Sequence, residues 1–405
     1  MPERAVAFVL AGGHVGGYGT LSMNRAKAAM PFAGVYRIID FAISSLRNAH
    51  VEKIGIVIQY LPKSLIEHVG VGHSWDLFGH GRMMRIMPPF VGIGKTDWYR
   101  GTGDAIYRNL DFVRRWQPDA VIICSGDHVS HIDYADIVRF HREHDADITA
   151  VSKTLPAEQI SPRFGRLVCE PDGLVVREFV EKPAEHSSNR ISIGVFVFKT
   201  KVLRQLLENM QASKGHNLAR HVVAPAPQSY RVLNYESPGY WNYLEDVVAY
   251  YQANMALLGP SPAIDLPGWE IVTNPEDRDQ GYLPPIFMGK DSHVSDSLIS
   301  AGCRLDGRVV RSVLSPGVIV EQGAIVEDSI LMHDCRVGPN CHLQYIVSDK
   351  DALFEPNCHI GRQLGAQPPN GAPAVGAPAV GRPTLIGKGV RIDAKGRENG
   401  GAYAD

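Results

Sequence analysis

Short apolar runs alternate with amphipathic stretches over the first 250 residues. Four runs are predicted to be buried strands, because they are short, rich in β-branched residues and bounded by polar residues or glycine. They are Ala5–Leu10, Ile54–Gln59, Ala120–Cys124 and Asp147–Lys153. Between them, apolar residues share one helical face in Ile106–Trp116 and again in Tyr134–His141. This alternation predicts an α/β fold with a mostly parallel sheet, whose ligand lies past the carboxyl ends of the strands.

The pattern changes near residue 291. Aliphatic residues in Val309–Leu314 and Val318–Val326 recur at multiples of about six, and glycine or asparagine marks the corners. The strand-length pieces are too short for helices, which predicts a short left-handed parallel β-helix over 291–361 with about four coils.

Thiols recur inside this second region with nearly the spacing of one coil. Two interpretations remain open: the thiols fill small inward corners, or they join nearby histidines in a zinc site. The residues concerned are Cys335, Cys341, Cys358, His333, His342 and His359.

The apolar pattern and the residue composition of the chain predict four segments. They are a first domain over 1–255, a linker over 256–290, the β-helix over 291–361, and a Pro/Ala/Gly-rich linker and tail over 362–405. Within the tail, Thr384–Ile392 is compatible with one returning strand.

Composition and charge narrow the function. The 405 residues carry 41 Lys+Arg and 43 Asp+Glu, a formal net charge of −2, and no basic stripe that would predict a nucleic-acid partner. No apolar run reaches the ~20 residues of a membrane span. The six cysteines form no CxxC pair. We therefore expect a cytoplasmic enzyme or binding protein with small-molecule partners.

The candidate chemistry begins after the first predicted strand. Leu10-Ala11-Gly12-Gly13 opens a loop with five glycines within eight positions. Such a loop is either a tight turn or a backbone that approaches phosphate closely. It matches neither the dinucleotide-binding pattern GxGxxG nor the P-loop pattern GxxxxGK[ST].

Further segments carry a family resemblance. They are Asn24–Lys27 followed by Pro31–Phe41, Gln59-Tyr60, Trp98–Ala105, Ser125–His128, Val180–Pro183 and Ser192–Gly194. With these segments the chain resembles the bacterial ADP-glucose pyrophosphorylase (glucose-1-phosphate adenylyltransferase) family from about residue 5 to residue 361. The resemblance implies a Rossmann-like nucleotidyltransferase domain followed by a left-handed β-helix.

The same resemblance implies adenylyl transfer from ATP to glucose 1-phosphate with Mg²⁺. It implies Asp127 as the catalytic Mg²⁺ ligand, with Arg25 and Lys27 as catalytic cations. Lys182 would bind the sugar phosphate, and Glu181, Ser192 and Gly194 would line the sugar pocket. The implied nucleotide-binding residues are Leu10, Ala11, Gly12, Gly13, Gln59, Tyr99, Gly101 and Thr102.

Three of these residues have a plain structural alternative. Asp127 would then cap a loop, Lys182 would be an exposed lysine at a strand end, and Tyr99 would pack in the core.

The chain departs from the family pattern at two places. Gly17 stands where relatives carry an arginine that binds the triphosphate, and Val15 where they carry the preceding glycine. Tyr243 stands where they carry a second metal-binding aspartate, for which Glu245 or Asp246 is a candidate substitute.

Two functions stay open because of these departures: an active or weakened adenylyltransferase, and a non-catalytic regulatory subunit or sugar-phosphate sensor. An acyltransferase on the β-helix is less favoured, because about four coils leave little room for a long acyl-donor groove.

Assembly and regulation also follow from the resemblance. It implies a homotetramer, or a hetero-oligomer with a catalytic paralogue, and places Arg25 and Arg37 at an anionic effector. Asn24 and Pro31 stand where some relatives carry activator-contacting lysine and histidine, so we expect a weak response to fructose 1,6-bisphosphate.

Overall fold

A computed structural model describes residues 4–13, 16–79, 81–90, 98–183, 188–275, 283–361 and 381–399. Contacts divide the chain into two compact units. The sheet unit comprises Met1–Gly13, Ile39–Trp241 and Trp269–Val272, and the β-helix unit comprises His14–Ile38, Asn242–Gly268 and Thr273–Asp405. The domain boundaries drawn from sequence texture stay a prediction. Of the predicted Pro/Ala/Gly-rich linker and tail over 362–405, residues 362–380 and 400–405 lie outside the described residues, as does Val15.

Helices of the described chain are mostly short. They are α1 (Ile38–Asn48), α2 (Lys63–Val69), α3 (Thr102–Arg108), α4 (Leu110–Trp116), α5 (Tyr134–Glu143), α6 (Thr200–Ala212) and α7 (Val247–Met255). Short 3₁₀ turns occupy Gly19–Ser22, Lys27–Ala29, His73–Trp75, Ala157–Gln159 and Ala226–Gln228, and a π-helical turn occupies Ala219–Val223. None of the helices in the described part of the chain is long and apolar enough to cross a membrane.

Strands make up most of the remaining regular structure. The first group is β1 (Ala5–Leu10), β2 (Pro31–Phe32), β3 (Tyr36–Arg37), β4 (Lys53–Val57), β5 (Met83–Met87), β6 (Ala120–Ser125), β7 (His128–Ser130), β8 (Ile148–Thr154), β9 (Arg166–Cys169), β10 (Val176–Val180), β11 (Arg190–Lys199), β12 (Val232–Glu236) and β13 (Trp241–Tyr243).

The second group follows residue 283. It is β14 (Phe287–Met288), β15 (His293–Ser295), β16 (Leu298–Ile299), β17 (Arg304–Leu305), β18 (Arg308–Val310), β19 (Val313–Leu314), β20 (Ile319–Val320), β21 (Ile325–Glu327), β22 (Ile330–Leu331), β23 (Arg336–Val337), β24 (His342–Gln344), β25 (Ile346–Ser348), β26 (Leu353–Phe354), β27 (His359–Gly361), β28 (Thr384–Ile386), β29 (Arg391–Ile392) and β30 (Glu398–Asn399).

The sheet unit is built on one large sheet, in the order β10-β9-β11-β6-β1-β4-β5, with β8 paired to β11 and β12. Strands β6, β1, β4 and β5 are parallel, whereas β11 runs antiparallel to β6, β8 and β9. Apolar residues of β1 are buried on both faces, as expected for a central parallel strand. The predicted α/β architecture is therefore confirmed, with antiparallel pairs concentrated around one long strand.

The predicted helical pattern over Ile106–Trp116 is divided in the structure. Helices α3 and α4 meet at Asn109, whose side-chain amide donates to the carbonyl of Ala105 (2.8 Å) and to the hydroxyl of Tyr99 (2.9 Å). Periodicity alone could not show this break, because the apolar face continues across it.

The β-helix unit stacks parallel strands into three sheets. Their orders are β14-β17-β20-β23-β26-β29, β15-β18-β21-β24-β27 and β16-β19-β22-β25-β28, with β30 added antiparallel to β29. Parallel stacking of short strands is consistent with the predicted left-handed β-helix. The helix is longer than the predicted four or so coils, because β14 begins at Phe287 and because β28 and β29 stack on β25 and β26.

The core of this β-helix contains the thiols. Cys303, Cys335, Cys341 and Cys358 are buried among inward-facing aliphatic side chains, and all four are unpaired thiols. Among the described residues no group of three or more His, Cys, Asp or Glu side chains is arranged to hold a metal ion. The structure therefore favours thiols that fill inward corners over the zinc site.

One face of the β-helix is covered by residues 16–38 and 242–268 of the same unit. The Tyr251 hydroxyl donates to the Asp328 carbonyl (2.8 Å), and a Cβ placed on Gly34 would lie 2.5 Å from the Ser300 hydroxyl. A Cβ placed on Gly19 would lie 3.2 Å from Cδ1 of Leu385. Through these contacts the two segments belong to the same compact unit as the β-helix.

Candidate functional site

The glycine-rich loop begins where three parallel strands end together. Leu10 is in register with Val57 at the end of β4 and with Ser125 at the end of β6. The N–H of Ala11 donates to the carbonyl of Val57 (2.8 Å). A Cβ on Gly12 would lie 2.9 Å from the backbone nitrogen of Gln59, whereas one on Gly13 would meet nothing within 4 Å. Gly12 thus lets the loop cross the end of β4, and Gly13 leaves backbone open to a ligand.

Asp127 lies at the carboxyl end of β6, as predicted, within a cluster of polar side chains. The Ser125 hydroxyl donates to its Oδ1, and His128 Nε2 lies 3.4 Å from the same oxygen. On the other side of the imidazole, the indole N–H of Trp241 donates to His128 Nδ1 (3.0 Å). Asp127 is therefore a partly exposed carboxylate that accepts a hydrogen bond from Ser125 and lies close to the imidazole of His128.

Gln59 and Tyr99 are brought together by two reciprocal hydrogen bonds. The Tyr99 N–H donates to Gln59 Oε1 (2.7 Å), and Gln59 Nε2 donates to the Tyr99 carbonyl (3.3 Å). The Tyr99 hydroxyl donates to the Pro88 carbonyl (2.8 Å), and burial raises its pKa. Tyr99 is thus a packed residue whose backbone, together with Gln59, borders the glycine-rich loop; its contact with a nucleotide stays a prediction.

Gly101 and Thr102 start α3 against the segment that follows α6. A Cβ on Gly101 would lie 2.6 Å from the His216 carbonyl oxygen. The Thr102 hydroxyl accepts a hydrogen bond from the N–H of Leu218 (3.0 Å). Both residues therefore have a packing role that is independent of a nucleotide.

The predicted sugar pocket is assembled around Gly165. The N–H of Ser192 donates to the Gly165 carbonyl (2.9 Å), and a Cβ on Gly165 would lie 3.2 Å from Glu181 Oε2. Gly194 (φ +72°) occupies a bulge of β11, where a Cβ would lie 3.6 Å from His128 Cε1. The structure thus brings Glu181, Ser192 and Gly194 together and places Gly194 beside the Asp127 cluster.

Lys182 projects from this pocket. Its Nζ lies 3.8 Å from Glu181 Oε1, its side chain is 56% exposed, and its backbone has a φ of +52°. Burial raises the pKa of Glu181, while Lys182 and Arg220 partly offset that rise. An exposed ammonium beside a half-buried carboxyl is suited to an anionic ligand that also carries hydroxyls.

In the β-helix unit, Lys27 is buried and its ammonium lies 3.8 Å from the centre of the Tyr243 ring. This is a cation–π contact. The residue that replaces the family aspartate therefore contacts one of the two predicted catalytic cations.

The other predicted cation, Arg25, is paired inside the β-helix unit. Its Nη2 lies 2.8 Å from Asp349 Oδ1, and both side chains are buried. Arg37 is buried as well and donates to the carbonyl of Ala29 (2.7 Å). The roles of Arg25 and Arg37 in catalysis or effector binding stay predictions, which must account for these partners.

The backbone at Gly17 and the hydrogen bonds of Asp246 bear on the departures from the family pattern. Gly17 has a φ of +96°, and a Cβ there would lie 3.2 Å from the Cβ of Asp246. Asp246 caps α7, since its Oδ1 accepts hydrogen bonds from the N–H groups of Val248 and Ala249 (both 2.9 Å). Asp246 thus has a structural role, and the conformation at residue 17 disfavours an arginine.

Sequence reasoning missed the roles of Gly165, His128 and Trp241. His128 follows the predicted metal ligand directly, within the motif Ser125–His128, and Trp241 lies two residues before Tyr243, so both stand next to residues that the sequence analysis singled out. Gly165 carried no signal, because its importance comes from a β-strand pairing distant in sequence.

Comparison with known proteins agrees with this geometry. The model of the Nucleotidyl transferase family matches residues 6–259, and that of the GlmU-like, C-terminal hexapeptide family matches residues 287–367. The first region contains the predicted, mostly parallel sheet, and the second contains the predicted β-helix.

Curated relatives cover most of the chain. A protein of Desulfitobacterium hafniense (strain Y51) is 34% identical over 91% of this chain and 92% of its own length. One from Clostridium perfringens (strain SM101) is 36% identical over 83% and 86%, and one from Thermotoga sp. (strain RQ2) is 35% identical over 80% and 76%. All three are named glucose-1-phosphate adenylyltransferase. With its parallel sheet, its hexapeptide β-helix and these relatives, the chain belongs to the glucose-1-phosphate adenylyltransferase family of nucleotidyl transferases.

Proposed function

We propose that this protein transfers the adenylyl group of ATP to glucose 1-phosphate for the synthesis of glycogen or another α-glucan. A phosphate oxygen of the sugar phosphate attacks the α-phosphorus of ATP, and the bond from that phosphorus to the β-phosphate oxygen breaks. The products are ADP-glucose and pyrophosphate. The nucleophile is already ionised near neutral pH, so catalysis consists mainly of bringing two anions together and stabilising charge.

The observation that carries this proposal is the grouping of the sugar pocket with Asp127 in one unit. Gly194 packs beside His128, the neighbour of Asp127, and Ser192 shares Gly165 with Glu181. A sugar phosphate bound there would present its phosphate near a strand-end carboxylate. That arrangement is what attack on an activated phosphate requires.

We assign roles to this chain's residues accordingly. Lys182 binds the sugar phosphate as a point charge, and Glu181 and Ser192 accept or donate hydrogen bonds with sugar hydroxyls. The loop through Gly12 and Gly13 offers backbone N–H groups to the triphosphate.

The nucleotide-binding and charge-neutralising roles are proposed on the same basis. Gln59 and Tyr99 border the nucleotide, followed by Gly101 and Thr102. Lys27 supplies positive charge.

The residues present fit Mg²⁺. Asp127 offers hard carboxylate oxygens, and the described chain contains no cluster of three ligating side chains. Mg²⁺ is usually held by one or two carboxylates together with substrate phosphates, so a single protein carboxylate is a compatible donor set. Asp127 would hold the ion, which would neutralise phosphate charge when bound.

Gly17 and Tyr243 favour a weakened enzyme within this proposal, and also the second candidate, a non-catalytic subunit or sugar-phosphate sensor. The cation–π contact of Tyr243 with Lys27 is the observation that favours the second candidate. A cytoplasmic location and a homotetramer or hetero-oligomer with a catalytic paralogue remain proposals from the resemblance. So does a weak response to fructose 1,6-bisphosphate, since a phosphate would compete with Asp349 for Arg25.

The test is pyrophosphate release with Mg²⁺, glucose 1-phosphate and each of the four common nucleoside triphosphates. We expect release with ATP, and a rise of about 10–100-fold in the KM for glucose 1-phosphate in Lys182→Ala, because one charge-assisted contact is worth about 1.5–3 kcal/mol. Lys214→Ala is the matched control, since Lys214 is another exposed lysine of the sheet unit with positive φ. Equal KM values in the two variants would contradict the assignment of Lys182.

A further inference from the structure

The side chains of Trp241, His128 and Asp127 form a chain of contacts with a defined direction. The indole N–H of Trp241 lies 3.0 Å from His128 Nδ1, and His128 Nε2 lies 3.4 Å from Asp127 Oδ1. An indole nitrogen can only donate a hydrogen bond. His128 Nδ1 must therefore be the acceptor, which places the proton of the neutral imidazole on Nε2, facing Asp127.

Packing around the imidazole restricts it to this orientation. The rings of His128 and Trp241 meet edge to face with centroids 5.4 Å apart, and the ring of Phe164 packs against the indole of Trp241, also at 5.4 Å. Gly194 closes a third side, where a Cβ would lie 3.6 Å from His128 Cε1. The imidazole is thus held by aromatic rings and by a glycine whose missing side chain makes room for it.

These contacts affect the orientation of the Asp127 carboxylate. The Ser125 hydroxyl donates to Asp127 Oδ1, and Nε2 of His128 lies 3.4 Å from the same oxygen. This distance is longer than a usual hydrogen bond, so His128 Nε2 makes a close polar contact with the carboxylate. A hydroxyl donor and a neighbouring N–H at one oxygen favour one orientation of the carboxyl group.

We propose that His128 is a positioning residue, locked by Trp241 in the Nε2–H tautomer, which orients the Asp127 carboxylate for a phosphate-bound divalent cation. The inference rests on the proposed function for its catalytic consequence, but the tautomer and the metal affinity are measurable without turnover. Partners that orient a metal ligand in this way typically change metal affinity or activity 10–100-fold when they are removed.

The first test is spectroscopic. We expect ¹⁵N NMR of histidine-labelled full-length protein at neutral pH to show His128 with an unprotonated Nδ1. Trp241→Phe keeps an aromatic ring but removes the N–H, and should populate the Nδ1–H tautomer. Trp269→Phe is the control, because Trp269 stacks on another histidine, His131, with centroids 5.0 Å apart. An unchanged His128 tautomer in Trp241→Phe would overturn the lock.

The second test measures the carboxylate through Mn²⁺ as a probe. Mn²⁺ binding in the presence of ATP, followed by electron paramagnetic resonance, should weaken about 10–100-fold in His128→Leu. His128→Gln retains an N–H donor near the position of Nε2 and should restore most of that affinity. Equal Mn²⁺ affinity in the wild type and His128→Leu would overturn the positioning role.

Kinetics then separate this inference from the proposed function. In an active protein, His128→Leu should lower kcat about 10–100-fold and change the KM for glucose 1-phosphate much less, with rescue by His128→Gln. A rise in the KM for glucose 1-phosphate without a fall in kcat would overturn the positioning role. A wild type without turnover would refute the proposed function alone, and the tautomer and Mn²⁺ results would still decide the inference.

Discussion

The ion pair between Arg25 and Asp349 should be a main determinant of the stability of the β-helix unit. The two side chains are 4% and 0% exposed, and Nη2 lies 2.8 Å from Oδ1. The N–H of Lys350 donates to Asp349 Oδ1 (2.7 Å), whereas Asp349 Oδ2 has no hydrogen-bond partner among the described residues. The guanidinium of Arg25 supplies the opposite charge that compensates this buried carboxylate. Asp349→Asn keeps the shape and removes the charge, which leaves a buried guanidinium uncompensated. Breaking such a pair costs about 3–5 kcal/mol.

Differential scanning calorimetry of the full chain measures this cost as a shift in Tm. About 1 kcal/mol corresponds to about 2–4 °C for a unit of this size, so we expect Asp349→Asn to lower the transition by about 6–20 °C. Asp306→Asn is the matched control, because Asp306 pairs with Arg304 at a similar distance, 3.0 Å, but the two side chains are 28% and 61% exposed. Exposed pairs are worth up to about 1 kcal/mol, so this control should shift Tm by a few degrees at most.

A double variant separates the charge from the packing. Replacing both partners by apolar residues, Arg25→Met with Asp349→Leu, should recover most of the lost Tm, because the unpaired charge is removed. A shift in Asp349→Asn no larger than in Asp306→Asn would refute the reasoning, as would strictly additive losses in the double variant.

Three further outcomes are expected. Gly12→Ala should lower Tm by an amount equivalent to about 1–3 kcal/mol, because the new methyl group would overlap the backbone of Gln59, whereas Gly13→Ala meets open space; equal effects in calorimetry would contradict this. Burial lowers the pKa of His141 to about 4. Between pH 6.5 and pH 4 the unfolded chain therefore binds a proton that the folded protein does not. As the pH is lowered through this range, Tm should fall more steeply in the wild type than in His141→Gln. Tyr243→Asp should raise the rate of pyrophosphate release by restoring the carboxylate that the family pattern carries at this position, a gain that Tyr243→Phe should lack; a lower rate in Tyr243→Asp would show that the tyrosine does not impair catalysis.

Sequence patterns predicted the fold because burial repeats along the chain. The all-apolar run of β1 indicated a central strand, and the six-residue period of aliphatic residues indicated the β-helix. The segment Thr384–Ile392, expected as one returning strand, forms the two short strands β28 and β29. The divided helix at Asn109 depends on hydrogen bonds of the Asn109 side chain, which periodicity does not encode.

The candidate site was predictable to a different extent. Motifs indicated Asp127, Lys182 and Glu181. The parallel strands β1, β4 and β6 end at one edge and place Asp127 there with the glycine-rich loop, whereas Glu181 and Lys182 follow β10, an antiparallel strand, whose position the motif alone does not predict. The burial of Arg25 against Asp349 had no signal, because neither residue is unusual in its own segment. The tautomer of His128 likewise depends on which atom of Trp241 faces it.

The most direct test of the central claim follows the adenylyl group itself. Purified protein is incubated with glucose 1-phosphate, Mg²⁺ and ATP labelled with ³²P at either the α or the γ phosphate. Adenylyl transfer predicts that the α label appears in ADP-glucose and the γ label in pyrophosphate, in equal molar amounts and only when glucose 1-phosphate is present. Recovery of both labels in unreacted ATP at enzyme concentrations comparable to substrate would contradict it and would favour the non-catalytic sensor.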